Sequence, residues 1–221
     1  MEGSKAPTEK FAALVRHAGI IHCFTQRVPG IEVAHDKTEA LRRLDAAHRQ
    51  VRVACGVGDW PFVTAQQVHG DHIGVVDRPA TEDECFDECD AVITNQRGVA
   101  LGIYVADCCA VYLVDPVRNA IGLVHSGRKG TELDIVGSAI ERMHDRFGTS
   151  PADLTVQLSP CIRPPHYEVD FAAEIVRSCK TRGVTDVHDS GVCTACHLDG
   201  YYSYRAEKGK TGRMLALLAM R

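Results

Sequence analysis

Six short apolar runs, each four to seven residues long and each closed by turn-forming residues, recur between Val51 and Val124. They fall at Val51–Val57, Ile73–Val76, Ala91–Thr94, Val99–Val105, Val111–Val114 and Ala120–Val124. Runs of this length rich in Val and Ile are too short for core helices and read as strands, so the middle of the chain must be built on sheet. Asp115-Pro116-Val117-Arg118-Asn119 separates the last two runs. Pro and Asn supply turn geometry there, which makes these two runs neighbouring strands. A further strand is expected over Gly19–Thr25.

Helical spacing appears on either side of this block. Thr38 to Arg49 places Leu41, Leu44 and Ala47 on one face. After His125, the residues Leu133, Val136, Ile140, Met143 and Phe147 step by three and four, with Thr131 as a cap, Asp134 three residues on, and Gly148 as the stop. A third helix is expected from Phe171 to Thr181, opened by Asp170 and closed by Gly183, with a return strand over Val184–His188. Strands interleaved with helices give a mixed α/β architecture. The 221 residues, 45% of them hydrophobic, suit a single domain over 1–221, with residues 1–10 expected to be flexible.

Charge and targeting exclude some classes of function. Lys and Arg number 25 against 29 Asp and Glu, and the net charge of -4 gives no electrostatic footprint for nucleic acid or an anionic membrane. Met1–Lys10 is polar, and no apolar run approaches the roughly 20 residues that span a bilayer. The expectation is a cytoplasmic protein acting on a small molecule. In that compartment the ten cysteines are free thiols or metal ligands, and Cys23 and Cys55 read as small core residues.

Three patches carry reactive side chains: Gln67-Val68-His69-Gly70, Ala106-Asp107-Cys108-Cys109, and His125-Ser126-Gly127-Arg128-Lys129-Gly130. Two imidazoles and a thiolate can hold zinc and leave a coordination position open for chemistry. His69 and Cys108 each follow an apolar run, and Cys109 should face the opposite side from Cys108. The Gly-bearing segment after His125, opening a helix and holding Lys129, suits an anion. Taken singly, each patch is also compatible with a core histidine, a core cysteine pair and a solvated turn. Cys193-Thr194-Ala195-Cys196-His197 could form half of a structural zinc site with Cys85 and Cys89. A lone C-x-x-C has many other origins, and core or loop cysteines are the preferred reading.

The landmarks in order are Gln67–Gly70, Ala106–Cys108, His125–Gly130, Ser159-Pro-Cys-Ile162 with Tyr167-Glu-Val169, and Cys193-Thr194. Tyr202-Ser-Tyr-Arg205 and Gly212-Arg-Met214 then follow. This pattern resembles the YfiH family, also called the laccase-domain or polyphenol oxidase family, from about His22 to the C-terminus. The resemblance implies an α/β fold of mixed sheets flanked by helices, of the CNF/YfiH-like cysteine hydrolase type. It also implies zinc on His69, Cys108 and His125, which would be both ligands and catalytic residues. The expected substrates are a purine nucleoside and phosphate, undergoing phosphorolysis or, for adenosine, deamination. Arg27, Gln67, Arg128, Lys129 and Arg205 are the expected substrate or anion residues. No oligomeric surface can be read, so the chain is expected to be a monomer or small homo-oligomer.

This chain departs from the family pattern at three places. The family reads His-Ala-Gly-Trp-Arg-Gly where this chain has His125-Ser-Gly-Arg-Lys-Gly130, so a lysine point charge replaces a forked guanidinium, with Arg128 beside it to compensate. The Asn-Leu-Gly stretch after Phe24-Thr-Gln-Arg27 is not recognisable in Val33–Lys37, and the run from Val169 to Cys193 is short. Two other readings remain open. One is an amide hydrolase acting on a peptidoglycan precursor, with Cys108 as nucleophile and His125 or His69 as base. The other is a nucleoside-binding relative weakened in turnover. Copper at a single site is chemically possible, but these patches lack the many histidines of multi-copper chemistry.

Overall fold

A computed structural model describes residues 6–221 and shows two six-stranded mixed sheets stacked face to face. In one, β1 (Thr8–Glu9) lies beside β2 (Ile20–Thr25), followed by β12 (Met214–Met220), β7 (Ala100–Val105), β3 (Phe62–Ala65) and β5 (Glu84–Phe86). In the other the order is β11 (Asp186–Asp189), β10 (Thr155–Leu158), β8 (Cys109–Asp115), β9 (Ala120–Ser126), β6 (Ala91–Thr94) and β4 (Ile73–Val76). Four pairs are parallel, β3 with β5 and β7, β4 with β6, and β10 with β11; the remainder are antiparallel.

The apolar runs are continuous rather than alternating because both faces of the second sheet are covered. All seven residues of β8 and of β9 are buried. Along β8, Ala110, Tyr112 and Val114 pack into the core between the sheets, whereas Cys109, Val111 and Leu113 pack towards the helices. Those helices are α4 (Ile135–Phe147), with Val136, Ile140 and Met143 inward, and α5 (Phe171–Thr181). On the far side of the first sheet lies α2 (Lys37–Ala54): its His48 ring meets Tyr104 of β7 and its Arg52 guanidinium covers Phe62 of β3. A short α1 (Ala12–Val15) precedes β2, and α3 (Arg128–Glu132) follows β9. No helix among the described residues is long and apolar enough to cross a membrane.

Four expectations are corrected. Val51–Val57 is not a strand: α2 runs through it to Ala54, because Ala40, Leu44, Ala47 and Val51 complete a helical stripe that continues past Arg49. The helix after His125 is two helices. Thr131 does not cap α4; its hydroxyl bonds the Gly127 carbonyl, and Asp134, in the left-handed region, stands at the start of α4 with its carboxylate held by Ser178 and Arg182. Leu133, expected in the apolar stripe, falls in that break and is 43% exposed. The flexible N-terminus lies partly outside the described residues, but Ala6 is buried and Thr8–Glu9 pair with Thr25–Phe24. Gly148 and the Asp170 cap are placed as expected, the latter accepting from the Ala173 N–H.

Candidate metal centre and cleft

The three reactive patches end three different connections at one mouth of the two-sheet stack. His69 sits in the loop between β3 and β4, Cys108 in the turn from β7 into β8, and His125 near the end of β9, where it pairs with Ala110. Their ligand atoms all lie within 4.8 Å of one another, with His69 Nε2 3.9 Å from Cys108 Sγ and the two imidazole rings 4.8 Å apart at 76°. His125 is buried, Cys108 half-buried and His69 exposed, so the set faces outward from the core.

Asp90, at the entrance to β6, organises this geometry. Its two carboxylate oxygens accept from the backbone N–H groups of Val68, His69 and Gly70 and from His125 Nδ1, the last at 2.7 Å. The bond to Nδ1 leaves Nε2 of His125 as the free ligand atom, the usual arrangement behind a metal-bound histidine. Gln67, His69 and Asp107 all hold positive φ, a region non-glycine residues avoid, and hydrogen bonds hold them there. Asp107 accepts from the Thr194 hydroxyl and from the Arg205 N–H, and its carbonyl accepts from the Ile162 N–H.

Charge around the thiol follows from this packing. Burial pushes the Cys108 thiol up, but the His125 and His69 rings outweigh it and bring its pKa down to about 6. Burial likewise disfavours the His125 cation, yet the Cys108 charge and Asp90 push it up to about 9. Asp90 itself is held below its ordinary value: burial raises it, and His125 and the Gly70 and His69 N–H groups more than offset that. Two imidazoles, an acidic thiol and a carboxylate fixing one histidine suit zinc or another borderline-soft divalent ion. A Cβ at Gly127 would stand 2.5 Å from Cys108 Sγ, so only glycine leaves room on that side of the thiol.

The centre opens onto a cleft of about 1020 Å³. Lys129, Arg128 and Arg205 line it, as do three cleft residues that the sequence reading did not assign: Lys37, Tyr167 and Arg213. Arg128 pairs with Glu132 and Glu168, and Arg205 donates to Glu168 at 2.5 Å across the Tyr167 ring. Lys129 has no ion-pair partner among the described residues; it lies inside the five-residue α3 rather than in a loop, so its side chain is what the segment offers an anion. Lys37 donates to the Gln66 carbonyl, and burial pulls its pKa down.

Two expected substrate residues lie elsewhere. Gln67 is buried, its amide spanning the Tyr104 N–H and carbonyl, and so fixes β7 against the His69 loop. Arg27 donates to the Tyr201 carbonyl and to Glu207 and covers the Tyr202 ring, away from the cleft. Cys85 and Cys89 do not gather with Cys193 and Cys196; the side chain that does is His166. Asp90 was missed at the sequence level, where its one signal was an acidic residue directly before the Ala-Val-Ile-Thr run of β6.

Comparison with known proteins identifies the family and the fold. A family model described as multi-copper polyphenol oxidoreductase laccase matches residues 13–178 and 170–221. The chain is 33% identical to purine nucleoside phosphorylase ORF3 of Streptomyces griseus over 69% of this chain and 71% of that one. It is 30% identical to the purine nucleoside phosphorylase of Deinococcus radiodurans over 90% and 88%. The crystal structure of YlmD from Geobacillus stearothermophilus aligns with a TM-score of 0.85 and 21% identity, covering 98% of this chain and 99% of that one. A Bacillus licheniformis protein, YfiH, gives 0.77 at 22% identity over 91% and 93%. These two show the shared fold. By its matched residues and its two-sheet architecture, the chain belongs to the multi-copper polyphenol oxidoreductase laccase family.

Proposed function

We propose that this chain is a metal-dependent purine nucleoside enzyme whose principal reaction is phosphorolysis, with adenosine deamination at the same centre. The observation that carries the reading is a single one: the His69, Cys108 and His125 donor set opens onto a cleft whose rim holds the uncommitted cation Lys129. The names of the relatives supply the substrate class. Zinc held by those three residues would supply a Lewis acid and, for deamination, a source of hydroxide near neutral pH.

The chain's own residues divide the remaining work. Tyr104, Tyr167 and Tyr204 give the cleft apolar walls suited to a planar base. Lys129 attracts phosphate as a point charge, and Lys37, made more acidic by burial, is positioned on the same cleft to donate a proton as the purine departs. Arg128 is paired with Glu132 and Glu168 and Arg205 with Glu168, so each contributes to the anion site only as those carboxylates turn away. Deamination would consume water in place of phosphate and leave Lys129 unused.

The test is to incubate zinc-loaded protein with adenosine, inosine or guanosine, with and without phosphate, and to follow free base and inosine. Base release that requires phosphate, and inosine formation from adenosine that does not, are expected. Lys129→Ala should raise the KM for phosphate roughly tenfold or more, the scale of one lost charge-assisted hydrogen bond, and leave deamination unchanged. Loaded protein that yields no product from any of these nucleosides would overturn the reading.

One observation favours a second reading, an amide hydrolase. Cys108, His125 and Asp90 form a thiolate, imidazolium and carboxylate series of the kind used by cysteine nucleophiles. Iodoacetamide labelling of Cys108 that added zinc does not slow would support it over the metal enzyme.

A further inference from the structure

A second set of thiols and imidazole lies apart from the first and shares no residue with it. His166 Nδ1 is 3.3 Å from Cys196 Sγ and 3.9 Å from Cys193 Sγ, and all three ligand atoms lie within 4.8 Å of one another. Tetrahedral zinc, with bonds of about 2.3 Å to sulfur and 2.0–2.1 Å to nitrogen, sets ligand S and N atoms about 3.5 Å apart. The two observed separations bracket that value.

The backbone builds this arrangement. Cys193 begins the short turn Thr194–Cys196, whose tight C-x-x-C spacing points two sulfurs the same way. Its backbone is fixed by an isolated parallel β-bridge to Cys161 and by the Thr194 N–H donating to the Cys161 carbonyl, both thiols being free. His166 comes from a different segment, the turn after Arg163, where its N–H donates to the Arg163 carbonyl. Cys193 is buried while His166 and Cys196 are exposed, so an ion could enter from solvent and keep water as a fourth ligand.

We propose that His166, Cys193 and Cys196 form a second metal site, for zinc or another thiophilic divalent cation, that clamps one wall of the cleft. Two thiolates and an imidazole select such an ion over magnesium or calcium, which prefer oxygen. His166 is followed directly by Tyr167 and Glu168 of the cleft wall, and the other side of the site carries Thr194, whose hydroxyl braces Asp107 beside Cys108. The ion therefore ties the wall that holds Arg205 and Arg128 to the turn that positions the first centre. The inference is independent of the substrate, since it rests on ligand geometry alone.

Metal analysis of purified protein under reductant tests it. Wild type dialysed against metal-free buffer should retain two zinc equivalents per chain, Cys108→Ser one, Cys196→Ser one, His166→Ala one, and the Cys108→Ser/Cys196→Ser double variant none. Cys196 and His166 are exposed, so these substitutions spare the core, and circular dichroism checks that they fold. Cobalt added to the Cys108→Ser variant should give thiolate-to-metal charge-transfer absorption that disappears on adding Cys196→Ser. Chelation should lower the Tm of Cys108→Ser but not of the double variant, because an ion bound only by the native state stabilises it. Cys196→Ser and His166→Ala proteins that keep the wild-type zinc content, or a wild type whose only zinc is lost with Cys108→Ser, would overturn the proposal.

Discussion

Asp90 anchors the proposed metal centre, because four donors converge on its two oxygens. Asp90→Asn keeps the size but turns one oxygen into an N–H₂ group that must face an N–H donor. The loop carrying His69 and the ring of His125 then lose their common anchor. Zinc affinity should fall about 10- to 100-fold, the scale for a carboxylate behind a ligating histidine, as measured by competition with a chromophoric chelator. Unchanged affinity would show that Asp90 serves only the fold. Gly127 makes a companion case: an alanine methyl group 2.5 Å from Cys108 Sγ has to displace the sulfur or the backbone. Gly127→Ala is expected to lower zinc retention while leaving the unfolding free energy of the metal-free protein, read by urea titration, within about 1 kcal/mol of wild type, since the only group it meets is the half-buried Cys108 side chain, which can rotate. His69, Cys108 and His125 could be singled out in the sequence as one candidate donor set because side-chain type carries their chemistry, and the fold gathers their ligand atoms within 4.8 Å. Asp90 was not, because an acidic residue becomes an anchor only when the fold brings three amides and a ring to it. Gln67 and Arg27 misled for the converse reason: polar side chains beside a motif can be consumed by main-chain carbonyls.

Among the elements, the interface between α2 and the first sheet depends on a glycine in mid-strand. A Cβ on Gly102 of β7 would lie 2.2 Å from the Phe62 ring, and the Arg52 guanidinium of α2 covers that ring at 4.2 Å. The ring is held from both sides and cannot swing away. Gly102→Ala should therefore destabilise by about 1–3 kcal/mol through overpacking, despite alanine's better backbone entropy. The urea midpoint reads this, and Phe62→Leu added to Gly102→Ala should recover part of the loss if the ring is the obstacle. The strands were legible because β7, β8 and β9 are covered on both faces and so read as unbroken apolar runs. The same rule failed at Val51–Val57, where a helix ending in β-branched residues imitates a strand. Val53 there is 68% exposed, which helical periodicity explains and a buried strand does not.

At the scale of the whole molecule, two buried histidines link stability to pH. His22 lies between the sheets, stacked on Phe11 and accepting its N–H, and His48 lies between α2 and the first sheet with Nε2 lacking a partner. Burial pulls both down from 6.5 to about 4. Each is neutral in the folded protein at pH 5, whereas the unfolded chain takes up a proton there. Their contribution is complete above pH 6.5 and is lost as the pH falls towards 4, by on the order of 1–2 kcal/mol each at pH 5. His125 titrates with the opposite sign, since its raised pKa favours the folded state below 6.5 and fades only as the pH passes 9. It therefore cannot produce an acid loss. Eleven histidines in the sequence gave no means of separating these roles, because burial between layers is a property of the assembled sheets. His22→Gln keeps an acceptor for the Phe11 N–H, and His48→Leu keeps the contact with Tyr104, so the double variant should fold. Its urea midpoint should drop less between pH 7.5 and pH 5 than that of the parent chain. Equal drops in the two proteins would mean that acid acts through carboxylates elsewhere and that these two layers do not sense it.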